Sequence, residues 1–471
     1  MRKKILSIIA ATFIMTLFIS SCQKGIDRPY QPKSEERTAA NNSNAYGHLK
    51  QTKEYSSEVV TKWMNMQLRV IRTTAGMPPA TNSRLFGYSG VALYESVVPG
   101  MPAYQTLFRQ LTNMPAMPAT ENGKAYHWAA SANAALASIS KQSFPTTSSA
   151  NKASMDSLEK ALNDVYKTEV NIQTFDRSAA FGKSVAQLVF DWSKTDGSAT
   201  VWPAYTLPSG PGLWAPTFPN FPAASTPYWG KNRLFVPGSL NNSEPALPPS
   251  YSPDPNSDYF KNMKEVYDIS QSLNDNQKVM AFYYRDFPGY VSGGHYLSIL
   301  YQVLQNEKPS LDFSALAFAQ SGMAIADALI GCFQWKYKDA NGGPATNTER
   351  PVTFIRNVMG KDWNTLFGYT PAHPDFPSAH STTAGAAEVI FTNLFGDNYA
   401  FTNHTYDYLN MPAQYYSSFS DMAEQIGWSR VLAGIHTRYA CDAARTQGQK
   451  IAQNILNQIK FLKERGNNVE G

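Results

Sequence analysis

The sequence predicts an all-α protein built from two helical bundles. Apolar residues recur at helical spacing in both halves of the 471-residue chain, and no segment shows the alternating pattern of a competing β-strand. A stretch dense in proline, glycine and aromatic residues joins the two halves. With 43% hydrophobic residues the chain can bury a large core, which excludes disorder for most of its length.

The first 22 residues have the pattern of a lipoprotein signal peptide. Basic residues at positions 2–4 precede an apolar run at positions 5–19, and Ser20-Ser21-Cys22 follows as a lipobox. We expect cleavage before Cys22 and lipidation of its thiol; a plain secretory signal and an uncleaved membrane helix are the alternatives. Residues 23–48 are polar and are predicted to form a flexible tether. No other run is expected to be long and apolar enough to span a bilayer.

The predicted location is the cell envelope, as a periplasmic or outer-membrane-attached lipoprotein that meets the membrane only through its anchor. The formal charge of +5 includes the three basic residues of the leader, and no basic stripe indicates a nucleic-acid partner. Cys332 and Cys441 lack zinc-ligand spacing and are predicted to be core residues, while their pairing is left open.

Residues 49–200 are predicted to form the N-terminal bundle. Val59, Trp63, Met66 and Val70 place one apolar stripe on a helix that ends before Gly76. Clusters of proline, glycine and serine separate the further predicted helices, which are Ser83–Val98, Ala125–Ile139, Met155–Val165 and Ala179–Trp192.

Residues 201–258 are predicted to form a loop-rich connection that packs as a strap, because its many aromatic residues argue against disorder. Residues 259–465 are predicted to form the C-terminal bundle. Its helices are expected from His295 to near Gln305 and at Asp312–Tyr337, Thr382–Phe395, Tyr415–Ala433 and Arg438–Lys463. Asp327, on the second of these, could pair with a cation or face water.

One short run in the C-terminal bundle is suited to holding an anion. Residues 373–381 join a proline-rich turn to a helix start, so that the Ser378 hydroxyl, the Ala379 amide and the His380 imidazole can converge. A helix N-terminus offers unpaired N–H groups and the positive end of the peptide dipole. Alone, the run could be an ordinary helix cap. Three cations, Lys336, Arg350 and Arg430, and a second imidazole, His436, favour an anion site over an ordinary cap.

This ordered set resembles the signature of the superfamily shared by vanadium-dependent haloperoxidases and type 2 phosphatidic acid phosphatases. The resemblance implies that vanadate, or a transferring phosphoryl group, is bound by Lys336, Arg350, Ser378, Ala379 and Arg430. It also implies two histidine roles. His436 would be the axial residue, a vanadium ligand in haloperoxidases and the phosphorylated nucleophile in phosphatases, and His380 the acid–base residue.

Two features depart from the family pattern. Thirteen residues separate Lys336 from Arg350, more than is usual, so that Lys338 remains an alternative to the preferred Lys336. Phosphatases carry an orienting Asp four residues after the axial histidine, where this chain has Ala440. Asp442 lies about 200° away around a helix. An orienting carboxylate is therefore predicted to be missing, unless another group orients the histidine, and this disfavours a phosphatase.

The expected function is vanadium-dependent haloperoxidase activity, in which hydrogen peroxide oxidises halide, iodide or bromide rather than chloride, and a small organic substrate is halogenated. A periplasmic acid phosphatase working through a phosphohistidine is the alternative enzyme. A surface-tethered oxyanion-binding protein without catalysis is the alternative from another class. A homo-oligomer is possible, and the sequence identifies neither the halide nor the organic substrate.

Overall fold

Helices dominate the computed structural model, which describes residues 50–75, 80–286, 293–344 and 346–463. The first five helices match the predicted N-terminal set within a few residues at most ends: α1 Glu58–Thr73, α2 Thr81–Val97, α3 Trp128–Ser143, α4 Ser149–Glu169 and α5 Ile172–Ser193. Eight further helices follow: α6 Asp258–Ser270, α7 Asp275–Tyr283, α8 Gly294–Glu307, α9 Leu311–Lys336, α10 Pro351–Asn357, α11 Ala379–Phe395, α12 Phe419–Leu432 and α13 Arg438–Gln458. The all-α prediction is confirmed.

Two short strands form in the C-terminal half, where the sequence shows no alternating pattern. Strands β1 Phe401–Asn403 and β2 Gln414–Tyr416 pair antiparallel, with Phe401 opposite Tyr416. Three residues are too few to show an alternating pattern in the sequence. The helix predicted from Tyr415 consequently begins only at Phe419, where Ser418 caps it.

Helix α9 is the centre of the packing, with α2, α8, α11 and α13 against it. It is long and apolar enough to cross a membrane, so the prediction that no run beyond the leader has that character is wrong. Its apolar window is wholly buried within the protein, as expected of a core helix. Helices α2 and α9 belong to different predicted bundles, but they pack against each other. The bundle boundaries at 200 and 258 stay predictions.

Helices α11 and α13 approach each other closely because glycine occupies their contact. A Cβ added to Gly448 in α13 would lie 1.8 Å from the carbonyl oxygen of Thr382 in α11, and one added to Gly385 would lie 2.2 Å from that of Arg445. Real side chains cannot occupy such positions. This contact sets the distance between the N-termini of the two helices.

Residues 201–258 are non-helical until α6, apart from a 3-10 turn at Trp229–Lys231. The segment packs as a strap, since Trp214 is buried and its backbone N–H donates to the carbonyl of Asn347 over 2.6 Å. Asp327 of α9 attaches the strap to the core. Its carboxylate accepts hydrogen bonds from the backbone N–H groups of Phe235 at 2.7 Å and Val236 at 3.0 Å. The expected alternatives for Asp327, a cation partner or exposure to water, were both wrong.

The predicted leader, the lipidated Cys22 and the tether at 23–48 lie outside the described residues. Cys332 and Cys441 are both buried, and both are free thiols.

Candidate active site

The N-terminus of α11 forms one wall of the site. Ser378 is the N-cap: its backbone N–H donates to the carbonyl of Ala440 at 3.0 Å, and its Oγ accepts from the backbone N–H of Ser381 at 3.5 Å. The first bond ties this turn to the start of α13. Ser378 is fully buried. The predicted convergence of a capping hydroxyl with a helix N-terminus is therefore present at the expected residue.

Three buried cations approach this turn from separate elements. Lys336, at the C-terminal end of α9, donates from Nζ to the carbonyl of Pro374 at 2.7 Å and lies 3.3 Å from that of Asp375. Burial lowers its pKa to about 7. Of the two candidate lysines, Lys336 contacts the loop, whereas the Lys338 Nζ sits 3.7 Å above the Trp335 ring.

Arg350 and Arg430 complete the cationic set. Arg350 precedes α10 and donates from Nη1 to the carbonyl of Ile435 at 2.7 Å and from Nε to that of His373 at 2.8 Å. Its pKa falls to about 10 because it is buried, and Arg430 adds repulsion. Arg430, near the end of α12, donates from Nη1 to the carbonyl of Tyr284. Its buried Nε has no hydrogen-bond partner in the described part of the chain.

His436 lies in the connection between α12 and α13, and Arg350 Nη1 lies within 3.4 Å of both of its ring nitrogens. Nε2 lies 3.1 Å from Arg350 Nη1, and Nδ1 lies 2.8 Å from Asp375 Oδ1. Burial, followed by the charges of Arg350, Lys336 and Arg430, lowers the pKa of His436 well below its ordinary value. The imidazole is therefore neutral, as a metal ligand or nucleophile must be.

The structure contradicts the prediction that His436 lacks a carboxylate partner. Asp442 is exposed in α13 and does not serve, but Asp375 reaches the imidazole from the loop before α11. Burial raises the pKa of Asp375 to about 6, against the opposing effect of Arg350 and Lys336. The signal in the sequence was an acidic residue inside the buried, proline-rich run 373–377.

His380 is held by a second carboxylate that sequence reasoning missed. Its Nε2 lies 2.7 Å from Asp286 Oδ2, and Asp286 Oδ1 accepts from the Tyr406 hydroxyl at 3.0 Å and lies 3.3 Å from His295 Nδ1. Burial alone would raise the pKa of Asp286, but the two histidines lower it overall. Burial and Arg430 lower the pKa of His380, while Asp286 opposes them. His380 Nδ1 bonds no described residue.

The sequence predicted no role for the His373 side chain, but the structure places it against Arg350. Its Nδ1 accepts from Arg350 Nη2 at 3.0 Å, and burial beside Lys336 and Arg350 lowers its pKa well below the ordinary value. The ring packs 5.6 Å from that of Phe333, centroid to centroid. It therefore holds the Arg350 guanidinium through Nη2, while Ile435 accepts from Nη1.

The donors of this site suit an oxyanion. Three buried cations, a helix N-terminus and a capping hydroxyl supply hydrogen bonds from several directions, and the unpartnered Arg430 Nε is left to be satisfied. Within the described ranges, no cluster of three or more His, Cys, Asp or Glu side chains could hold a bare metal ion. Vanadate, which is an anion, fits this donor set.

Comparisons with known proteins concern the fold and the family of the chain. Residues 316–464 match the family described as the VCPO second helical-bundle domain. A bacterial vanadium-dependent iodoperoxidase structure is similar at 28% sequence identity and TM-score 0.77, covering 87% of this chain and 98% of its own. Holo and apo structures of a bacterial vanadium-dependent chloroperoxidase are similar in fold at 15% identity, with TM-scores of 0.59 and 0.58. They cover 82% of this chain and 93% and 96% of their own. No curated protein sequence matches significantly.

Proposed function

We propose that this chain, which belongs to the haloperoxidase superfamily, is a vanadate-dependent haloperoxidase that uses hydrogen peroxide to oxidise halide. One observation carries the proposal: a cationic oxyanion pocket and two imidazoles, each beside its own carboxylate, lie together at the N-termini of α11 and α13. The predicted roles of the site residues follow from this arrangement and stay predictions.

The residues divide the work by charge and position. Lys336, Arg350 and Arg430, with Ser378 and the Ala379 amide, would hold the oxygens of vanadate, and His436 Nε2 would bind its vanadium. Bound vanadate would supply the Lewis acid that activates peroxide towards halide. Each charge-assisted hydrogen bond would contribute roughly 1.5–3 kcal/mol.

His380 is placed to move a proton. Asp286 faces Nε2, and Nδ1 is left for the reacting groups. A neutral imidazole would accept a proton from hydrogen peroxide. Once charged, it would return the proton to the peroxide oxygen that leaves when halide takes the other one. The carboxylate stabilises the charged ring between these two transfers.

Iodide is the halide we propose first, because the solved structure at 28% identity is that of an iodoperoxidase. A small organic molecule would take up the oxidised halogen. We further propose that the enzyme works in the cell envelope, tethered through Cys22, because its leader resembles a lipoprotein signal.

The test uses protein without its leader, purified in phosphate-free buffer. Peroxide-dependent oxidation of iodide and bromide is assayed with and without orthovanadate, beside hydrolysis of a chromogenic phosphate ester. Halide oxidation that requires vanadate is the expected result. Ester hydrolysis suppressed by vanadate, without halide oxidation, would overturn the proposal in favour of the acid phosphatase. Vanadate binding with neither activity would indicate a binding protein.

A further inference from the structure

Asp375 is a buried carboxylate that is held in place by several contacts. It is 1% exposed, its backbone N–H donates to the carbonyl of Thr348 at 2.9 Å, and its own carbonyl lies 3.3 Å from Lys336 Nζ. Its Oδ2 accepts from the Thr437 hydroxyl at 2.9 Å. That hydroxyl also accepts from the backbone N–H of Ala440, so it caps α13. The carboxylate is thus fixed to the segment that carries His436.

The other oxygen of Asp375 is directed at the imidazole. Oδ1 lies 2.8 Å from His436 Nδ1 and 4.0 Å from Arg350 Nη1, and no described residue gives it a well-aligned hydrogen bond. Hydrogen bonds of catalytic groups are often poorly aligned until a ligand completes the site. A small turn of the ring would direct an Nδ1–H at Oδ1 and satisfy a buried acceptor that otherwise costs stability.

We propose that Asp375 positions the axial histidine: it holds the proton of His436 on Nδ1, so that Nε2 presents a lone pair to the oxyanion. The inference rests on the proposed function and deepens it. Thr437 takes part by fixing Oδ2. The carboxylate that the resemblance to phosphatases places four residues after the histidine would be supplied here from the loop before α11, which would explain why Ala440 can stand at that position.

Two neighbouring groups, Asp442 and Arg350, cannot take this role. Asp442 is exposed on α13, and Arg350 offers only N–H donors, which cannot accept the proton of a ring nitrogen. Arg350 Nη1 lies 3.1 Å from Nε2 and 3.4 Å from Nδ1, so it can donate to whichever ring nitrogen carries the lone pair. The carboxylate acceptor beside Nδ1 therefore selects the tautomer.

The first test reads the tautomer without vanadate. Histidine-15N-labelled protein is studied by long-range 1H–15N NMR, with the His436 signals assigned by their loss in His436→Gln. Wild type is expected to be protonated at Nδ1. In Asp375→Asn, the amide can donate to Nδ1 and drive the proton to Nε2, as an Asp-to-Asn change does in the serine protease triad.

The second test measures orthovanadate affinity by isothermal titration calorimetry. Asp375→Asn is expected to weaken binding by about ten- to hundredfold. The matched control is Asp442→Asn, at an exposed aspartate of α13, which should leave tautomer and affinity unchanged. A wild-type tautomer together with an affinity within twofold of wild type in Asp375→Asn would overturn the proposal.

A milder pair keeps the test decisive if Asp375→Asn does not fold. Thr437→Val removes the hydroxyl that holds Oδ2 and should mix the two tautomers, whereas Thr437→Ser keeps the hydroxyl and should restore one. If neither Thr437 variant shows a mixture of His436 tautomers, the role of Asp375 is contradicted. Because the NMR measurement needs no vanadate, a tautomer change in protein without halide oxidation would refute the proposed function and leave the positioning role standing.

Discussion

At the residue scale, the site brings like charges together out of water. Lys336 and Arg350 are 0% exposed and Arg430 is 2% exposed, and each has a lowered pKa with burial as its main cause. Main-chain carbonyls satisfy part of their donors but carry no full negative charge. Asp375 and Asp286 offset part of this positive charge, and an anion bound among the three cations is expected to stabilise the site further.

His436→Ala tests the axial role directly. The variant should lose vanadate-dependent halide oxidation to below about 1% of wild type and bind vanadate at least tenfold more weakly, because the axial nitrogen is gone. Activity assays and calorimetry measure both effects. His404→Ala, at an exposed histidine whose side chain is 54% accessible, is the control and should behave as wild type. Vanadate-dependent turnover at the wild-type rate in His436→Ala would refute the assignment.

Lys336 gives the site a specific pH dependence. Its pKa of about 7 without an anion means that it is charged below pH 7 and increasingly neutral above. An anion binds the charged form, so vanadate affinity should fall as pH rises through 7. Lys336→Met should bind more weakly at pH 6 and lose this contribution to the slope. The ratio of wild-type to variant affinity removes the anion's own titration, and a ratio constant from pH 6 to 8 would contradict the prediction.

The sequence brought the site residues into one hypothesis but not their carboxylate partners. Lys336, Arg350, Ser378, Arg430 and His436 were found through a pattern of residue types in a fixed order. Asp375 and Asp286 follow no such pattern, because they act across 62 residues to Thr437 and 94 residues to His380. Contacts between residues so far apart in the sequence depend on how α11, α12 and α13 pack. The spacing of apolar residues does not encode that packing.

At the element scale, the contact of α11 with α13 sets the distance between Ser378 and His436. Gly448→Ala would place a methyl group 1.8 Å from the Thr382 carbonyl, so the helices must separate. We expect a loss of about 1–3 kcal/mol in unfolding free energy, measured by urea denaturation, and a larger loss of activity. Gly427→Ala is the control, since its nearest neighbour would be Ser381 Oγ at an ordinary 3.4 Å. Equal stability of both variants would contradict the argument.

Helix positions were predicted well where apolar spacing was regular, and less well where capping decided the boundary. Helix α11 begins at Ala379 rather than Thr382 because Ser378 caps it. Helix α13 ends at Gln458, and the following chain instead pairs Leu462 with Tyr104. Such ends depend on tertiary partners, which no local pattern reveals.

The strap depends on Asp327 for its attachment. Asp327→Ala would leave two buried backbone N–H groups and the Ser239 hydroxyl without their acceptor, at about 1–3 kcal/mol for each group left unsatisfied. Urea denaturation should show this loss, while Asp164→Ala, at an exposed aspartate of α4, should change stability by less than about 1 kcal/mol. Unchanged stability of Asp327→Ala would mean that the strap is held by its aromatic packing alone.

At the scale of the whole molecule, the buried helices fix the positions of site residues that lie far apart in the sequence. Helix α9 runs through the core and delivers Lys336 at its end, while the strap and the loop before α11 meet through Leu213, Thr348 and Asp375. Site residues thus come from separate elements that are fixed by burial. Because no single element contains the site, the order of the motifs along the chain was the only sequence evidence for it.

Vanadate should therefore stabilise the whole chain. A ligand that binds only the folded state adds RT ln(1 + [L]/Kd), about 2.7 kcal/mol at a hundredfold excess over Kd. This anion also relieves the repulsion among Lys336, Arg350 and Arg430, so the thermal midpoint should rise by several degrees in phosphate-free buffer, as differential scanning calorimetry would measure. His404→Ala should show the full shift and Lys336→Met a smaller one. The same shift in Lys336→Met as in wild type would mean that vanadate binds elsewhere, because a ligand cannot gain stability from a charge that the variant lacks.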